Sequence, residues 1–265
     1  MKEYNVKVFD PRINKLGEGI FWDSMKNKLV WVDIFDGLVF ECDLRTNTTK
    51  TYETNDFAST AALWGDNKLI VSGQRNLYLF DRETGEKSTF LTLPNIPDTY
   101  RLNDGKTDDF GRFYVGSMNI SGDEADGKLY RVLPDGQVKI MARGIGVSNG
   151  LCWSEDNETM YYIDSPTRQI TVFDFDVMNG DIFEPRCFID VAFSDGVPDG
   201  MTIDNNGMLW VAFYGGSAVY RINPDNAEIL AVVHVPVEKA TSCTFVGNTL
   251  YITSAGGGVY YTEIQ

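Results

Sequence analysis

The chain has 265 residues, 43% hydrophobic and 13% aromatic, enough for one large domain with a sizeable core. A formal net charge of −15 repels phosphate backbones, which argues against nucleic acid as a partner, and no 18-residue apolar run exists to span a membrane. With one histidine, His234, and no C-x-x-C pair among four cysteines, a zinc site of several histidines or a histidine dyad is excluded.

The opening MKEYNVKVFDPRINK is charged, interrupted by Pro11, and lacks the apolar run of a secretory signal. A cytoplasmic protein is therefore expected, with buried free thiols at Cys42, Cys152, Cys187 and Cys243. Beyond the strand-like YNVKVFD come short runs rich in Val, Ile, Tyr, Phe and Trp. In order they are KLVWVDI, LVFECDL, KLIVSGQ, LYLFDRE, RFYVGSM, MYYIDS, ITVFDFD, MLWVAF and TLYITSA. Turn signals such as WGDN, DDFG, PDGQ, SEDN, MNGD, DNNG and NPDN separate them, and long helices are missing. This is an all-β pattern.

One unit recurs: a polar residue, a small one, an apolar strand, a turn, then two more strands. Its copies begin at Glu18, Thr60, Asp104, Asn149, Asp199 and Thr241, in steps of 42, 44, 45, 50 and 42 residues. Repeats of that length with three or four strands are propeller blades. Six starts predict a single six-bladed β-propeller over residues 1–265. About 25 residues follow Thr241, room for three strands, so residues 4–9 are expected to supply the outer strand of the last blade and close the ring.

Equivalent positions of each blade should ring the channel mouth. The six starts offer three carboxylates, one amide oxygen and two hydroxyls, and converging carboxylates repel unless a hard cation sits among them. Oxygen ligands favour Ca²⁺, Mg²⁺ or Mn²⁺, with Zn²⁺ also open. The competing reading is that Asp-Gly and Asn-Gly are ordinary turn dipeptides. Trp22, Trp31, Trp64, Trp153 and Trp210 are expected in the core between blades, and His234 in a structural place.

Residues 146–150 read GVSNG, which fits the G-x-S-x-G of a serine-hydrolase elbow. The segment that follows, LCWSEDNETMYYIDS, reads strand–turn–strand where an elbow needs a helix. Ser148 is therefore expected to flank the functional residue, Asn149, rather than to be a nucleophile.

The stretches LGEGIFWD, WVDI, RLNDGKTDDFGRFYVGSM, SNGLCWSED, YYIDS, VPDGM, LWVAFY and TSCTF together resemble the family of gluconolactonases, senescence-marker proteins (regucalcin) and luciferin-regenerating enzymes. The resemblance implies a six-bladed propeller with one divalent metal ion, Ca²⁺ foremost and Zn²⁺, Mg²⁺ or Mn²⁺ as alternatives. It implies Glu18, Asn149 and Asp199 as metal ligands, Arg101 and Asn103 as substrate-binding residues, and Asp199 as the catalytic general base. The chain departs from the family's mammalian pattern in NISGDEADG (119–127). Ser121 stands there near the place of an acidic residue, with Asp123 and Glu124 as possible substitutes.

The implied reaction is hydrolysis of a sugar lactone by metal-activated water, with Arg101 a forked donor toward sugar hydroxyls or a developing oxyanion. The alternatives are a calcium-binding regulatory propeller without important catalysis, and a promiscuous esterase or organophosphate hydrolase at the same metal. The expected partner is a small sugar lactone, with no nucleic acid and no membrane, bound by a monomer or weak homo-oligomer.

Overall fold

A computed structural model describes residues 1–265, apart from the side chain at position 187. Apart from one 3-10 turn at Ser165–Thr167, the described elements are all β-strands. They fall into two compact units, residues 21–148 and residues 1–20 with 149–265.

The N-terminal strands are β1 (Lys2–Asn5) and β2 (Lys7–Asn14). The first meander is β3 (Gly17–Asp23), β4 (Lys28–Asp33), β5 (Leu38–Asp43) and β6 (Thr48–Glu53), and the unit boundary passes through β3. In the unit 21–148 follow two more antiparallel four-stranded meanders. One is β7 (Thr60–Trp64), β8 (Lys68–Ser72), β9 (Asn76–Asp81) and β10 (Lys87–Thr92). The other is β11 (Tyr100–Thr107), β12 (Phe113–Asn119), β13 (Gly127–Val132) and β14 (Val138–Ile145). Their facing side chains, among them Ile70, Leu77, Leu102, Phe113, Val115 and Val132, form one apolar cluster. Each fully buried side chain of this kind contributes about 1.5–3 kcal/mol.

The second unit carries the meander β15 (Ser148–Trp153), β16 (Thr159–Asp164), β17 (Gln169–Asp176) and β18 (Asp181–Asp190) from Asn149 onward. The remaining strands are β19 (Val197–Ile203), β20 (Leu209–Tyr214), β21 (Ala218–Ile222), β22 (Ile229–His234), β23 (Lys239–Val246), β24 (Thr249–Ala255) and β25 (Gly257–Glu263). Together with β1 and β2 they make one nine-stranded sheet, whose β20 and β23 meet through the single pair Tyr214↔Lys239. The structure thus has four separate four-stranded meanders and one larger sheet where six separate blades were expected.

The N-terminal expectation is half met. β2 pairs antiparallel with β25, so the first strands do add to the last three, but the pairing residues are 7–14. Residues 2–5 run parallel to β22 instead. Two outer edges, those of β22 and β25, are open to pairing, and the N-terminal segment divides between them. Pro11 is tolerated in β2 because an edge strand can lack one N–H donor.

The X-Gly pairs of the repeat are not turns; they lie inside the first strand of their meanders. Asn103 and Asp104 of β11 both stand opposite Gly116, between the pairs Leu102↔Ser117 and Gly105↔Val115. Asp199 and Gly200 of β19 both stand opposite Ala212, between Pro198↔Phe213 and Met201↔Val211. In β23, Thr241 is the extra residue between Ala240↔Ser254 and Ser242↔Thr253. These are β-bulges, which bend a strand and re-aim a side chain.

The cysteines Cys42, Cys152 and Cys243 are buried free thiols as expected, and the expectation for Cys187 lies outside the described side chains. Trp31 and Trp210 are fully buried and Trp153 nearly so, while Trp22 and Trp64 are half-buried.

Candidate functional site

In the unit 1–20 with 149–265, close approaches link four first strands side by side. A β-carbon at Gly150 of β15 would come within 2.5 Å of the Asp199 carbonyl on β19. One at Gly200 would come within 2.5 Å of Ser242 Oγ on β23. The Thr241 hydroxyl donates to the Gly17 carbonyl on β3 at 2.5 Å. Glycine is needed at 150 because the β19 backbone leaves no space for a side chain, and at 200 because Ser242, side chain and Cα together, fills it.

This row carries Asn149, Asp199 and Glu18, which are 5%, 3% and 6% exposed. The Asn149 Nδ2 donates to Ser165 Oγ at 2.8 Å, and Ser165 Oγ donates to the Pro198 carbonyl at 2.6 Å. One serine therefore ties the strand of Asn149 to the residue before Asp199. Glu18 Oε2 accepts the Gly19 N–H at 3.0 Å. Two carboxylates and an amide oxygen, each buried, are hard donors of the kind that suit a divalent cation such as Ca²⁺.

The unit 21–148 carries Arg101 and Asn103, both buried and in contact. Arg101 Nη1 donates to Asn103 Oδ1 at 2.5 Å and to the Leu102 carbonyl at 2.9 Å. Asn103 Nδ2 donates to the Ser148 carbonyl at 2.7 Å. The amide is thus held at both ends.

Three of the six repeat starts, Thr60, Thr241 and Asp104, have side chains engaged by partners within their own unit. The Thr60 hydroxyl donates to the Gly105 carbonyl at 3.1 Å, and Thr241 donates to Gly17 and pairs with Thr253, so both hydroxyls serve strand-to-strand bonds. Asp104 Oδ1 turns back on the Gly105 N–H at 2.8 Å. Burial raises the Asp104 carboxyl above the usual carboxylate range, against the opposing pull of Lys106 and the Gly105 N–H. Among the described residues no three His, Cys, Asp or Glu side chains converge as a metal-binding group. The expected convergence of three carboxylates is therefore corrected.

Ser148 is fully buried. Its side chain occupies the space that a β-carbon at Gly116 would fill. The lone histidine, His234, sits exposed on β22, 3.4 Å from Glu3, in the other unit. In the 119–127 loop, Glu124 Oε2 accepts from Tyr100 Oη and Asn119 Nδ2, both at 3.2 Å, while Ser121 Oγ donates to Asn119 Oδ1 at 2.5 Å. Glu124 thereby stands beside the strand end that bears Arg101. Ser165, the last residue of the YYIDS run, carries no role in the sequence pattern. Its one sequence signal is a hydroxyl residue at a strand end directly before Pro166.

The model of the family described as SMP-30/Gluconolactonase/LRE-like region matches residues 16–256. The chain belongs to this family. Among its relatives, a Bacillus subtilis protein named as a candidate sugar lactone lactonase, YvrE, is 34% identical over 243 residues, covering 91% of this chain and 83% of the relative. Regucalcin of Danio rerio is 34% identical over 261 residues, covering 96% and 88%. A solved calcium-binding regucalcin from Agrobacterium tumefaciens superposes with a TM-score of 0.93 at 25% identity, covering 100% of this chain and 96% of that one. The matched region, residues 16–256, spans the positions of all five candidate residues.

Proposed function

We propose that the protein is a divalent-metal-dependent lactonase acting on sugar lactones. The observation that carries the reading is the placement of Asn149 and Asp199, buried on neighbouring first strands and tied through Ser165. Family membership and the relatives named for lactonase activity or calcium binding support it. In this reading the whole chain is one six-bladed propeller, the nine-stranded sheet being two blades joined by Tyr214↔Lys239. The buried free thiols fit a cytoplasmic protein.

Glu18, Asn149 and Asp199 would hold one divalent cation, Ca²⁺ by ligand type. When bound, such a cation supplies Lewis acidity toward the lactone carbonyl and the attacking water. Asp199 takes the proton of that water and returns it to the leaving alkoxide of the ring. Arg101 would offer its guanidinium to sugar hydroxyls and to charge developing on the carbonyl oxygen. No side-chain nucleophile takes part.

The test is acid release from a panel of aldonolactones by EDTA-treated and cation-restored protein, repeated with Asp199→Ala. Hydrolysis restored by the cation and lost in the variant is expected. Hydrolysis indifferent to chelation, or full activity without Asp199, overturns the proposal. The second reading, a calcium-binding regulatory protein, is favoured by the calcium-binding regucalcin relative and predicts cation binding with no turnover on the whole panel.

A further inference from the structure

We propose that Ser165 is a positioning residue that decides which end of the Asn149 carboxamide faces the cation; the proposal rests on the metal reading above. An asparagine amide has an acceptor end and a donor end, nearly equal in shape, and only the oxygen can ligate a cation. Something must therefore hold the amide one way round.

The direction of the bonds at Ser165 does so. The Pro198 carbonyl can only accept, so at 2.6 Å it takes the single proton of the Ser165 hydroxyl. Toward Asn149, at 2.8 Å, Ser165 then presents lone pairs alone, and the amide must turn its NH₂ to them. Its oxygen points away from Ser165. Ser165 itself is 4% exposed, so water cannot readily take its place.

Ser165 also fixes distance. It begins the 3-10 turn after β16 and binds β15 through Asn149 and β19 through Pro198, the residue before Asp199. Ligand orientation by such an outer partner typically changes metal affinity 10–100-fold.

The experiment is calcium titration by calorimetry of the chelator-treated full chain in four forms: unmutated, Ser165→Ala, Asn149→Asp, and the double variant. Thermal melts in EDTA check that each is folded. Asn149→Asp is chosen because a carboxylate presents oxygen whichever way it turns. Ser165→Ala alone is expected to weaken calcium binding about 10–100-fold. In the Asn149→Asp background the same change is expected to cost less than about threefold, because there is no amide left to orient. Affinity within twofold of the unmutated protein in Ser165→Ala overturns the proposal. So does an equal loss in both backgrounds, which marks a merely structural residue. No saturable calcium binding by the unmutated protein overturns the metal reading itself, and the role of Ser165 with it.

Discussion

The Ser148 hydroxyl lies where a β-carbon on Gly116 would sit, so that one residue's side chain fills the other's missing one. Gly116 is the single residue opposite the Asn103–Asp104 bulge, and Ser148 packs into the space it leaves. Ser148→Ala removes only the Oγ and is expected to keep activity within about threefold, whereas a nucleophile would lose several orders of magnitude. Gly116→Ala forces overlap with Ser148 and should cost about 1–3 kcal/mol. Urea denaturation checks this, and Gly116→Ala with Ser148→Gly should recover part of the loss. A Ser148→Ala protein that is folded and inert would restore the serine-hydrolase reading.

Asn103 is held in one orientation by unlike partners: the Arg101 guanidinium on its oxygen and the Ser148 carbonyl on its nitrogen. Asn103→Asp keeps the first bond and sets a carboxylate oxygen against a carbonyl. Leaving that buried pair without a proton should destabilise the fold by about 1–3 kcal/mol. Arg101→Lys keeps the charge but loses the fork, and should lower kcat/KM on the best lactone about 10–150-fold. Full activity in Arg101→Lys would remove it from the substrate site.

The spacing of the repeat was legible because each copy must bury the same apolar strands in the same way, which leaves a period in the sequence. The bulges were not. Asp199-Gly200 reads as a turn dipeptide, and only its pairing across β20 makes it a bulge inside a strand. Register between strands is a property of partners, so one strand's residues cannot announce it. The hydroxyls of Thr60 and Thr241 fall in register with the acidic starts, yet neighbouring carbonyls claim them. The role of Ser165 depends on Pro198, 33 residues away, and no local motif records that bond.

In the unit 21–148, Arg82 joins two buried carboxylates: its Nη2 is 2.7 Å from Asp23 Oδ2 and its Nε 2.7 Å from Glu41 Oε2. Lys28 approaches the other Glu41 oxygen at 2.5 Å. All three of the central side chains are at most 3% exposed, so none is screened by water. Arg82→Ala leaves buried negative charge without its main partner and should cost about 3–5 kcal/mol. Arg82→Lys can reach only one carboxylate well and should cost less. A melting temperature of Arg82→Ala within about two degrees of the unmutated protein would contradict this.

Acid should weaken the β19–β21 hairpins through Asp204. Burial raises its carboxyl, but Arg221, Trp210 Nε1 and the backbone N–H groups of Asn206 and Met208 together outweigh that. Its pKa lies below the ordinary 3.8. Arg221 Nε and Nη2 both stand 2.7 Å from Asp204 Oδ2, with Trp210 Nε1 at 2.9 Å. Because the folded state binds this proton more weakly than the unfolded state, the carboxylate's contribution is fully present above pH 3.8 and is lost as the pH falls through the lower folded value. Asp204→Asn keeps the size of the side chain and removes the charge. Its deficit should be about 1–3 kcal/mol at pH 7 and should shrink below pH 4. Urea midpoints measured between pH 7 and pH 3 check this, and a deficit that stays constant or grows toward pH 3 would show that the ion pair is not its source.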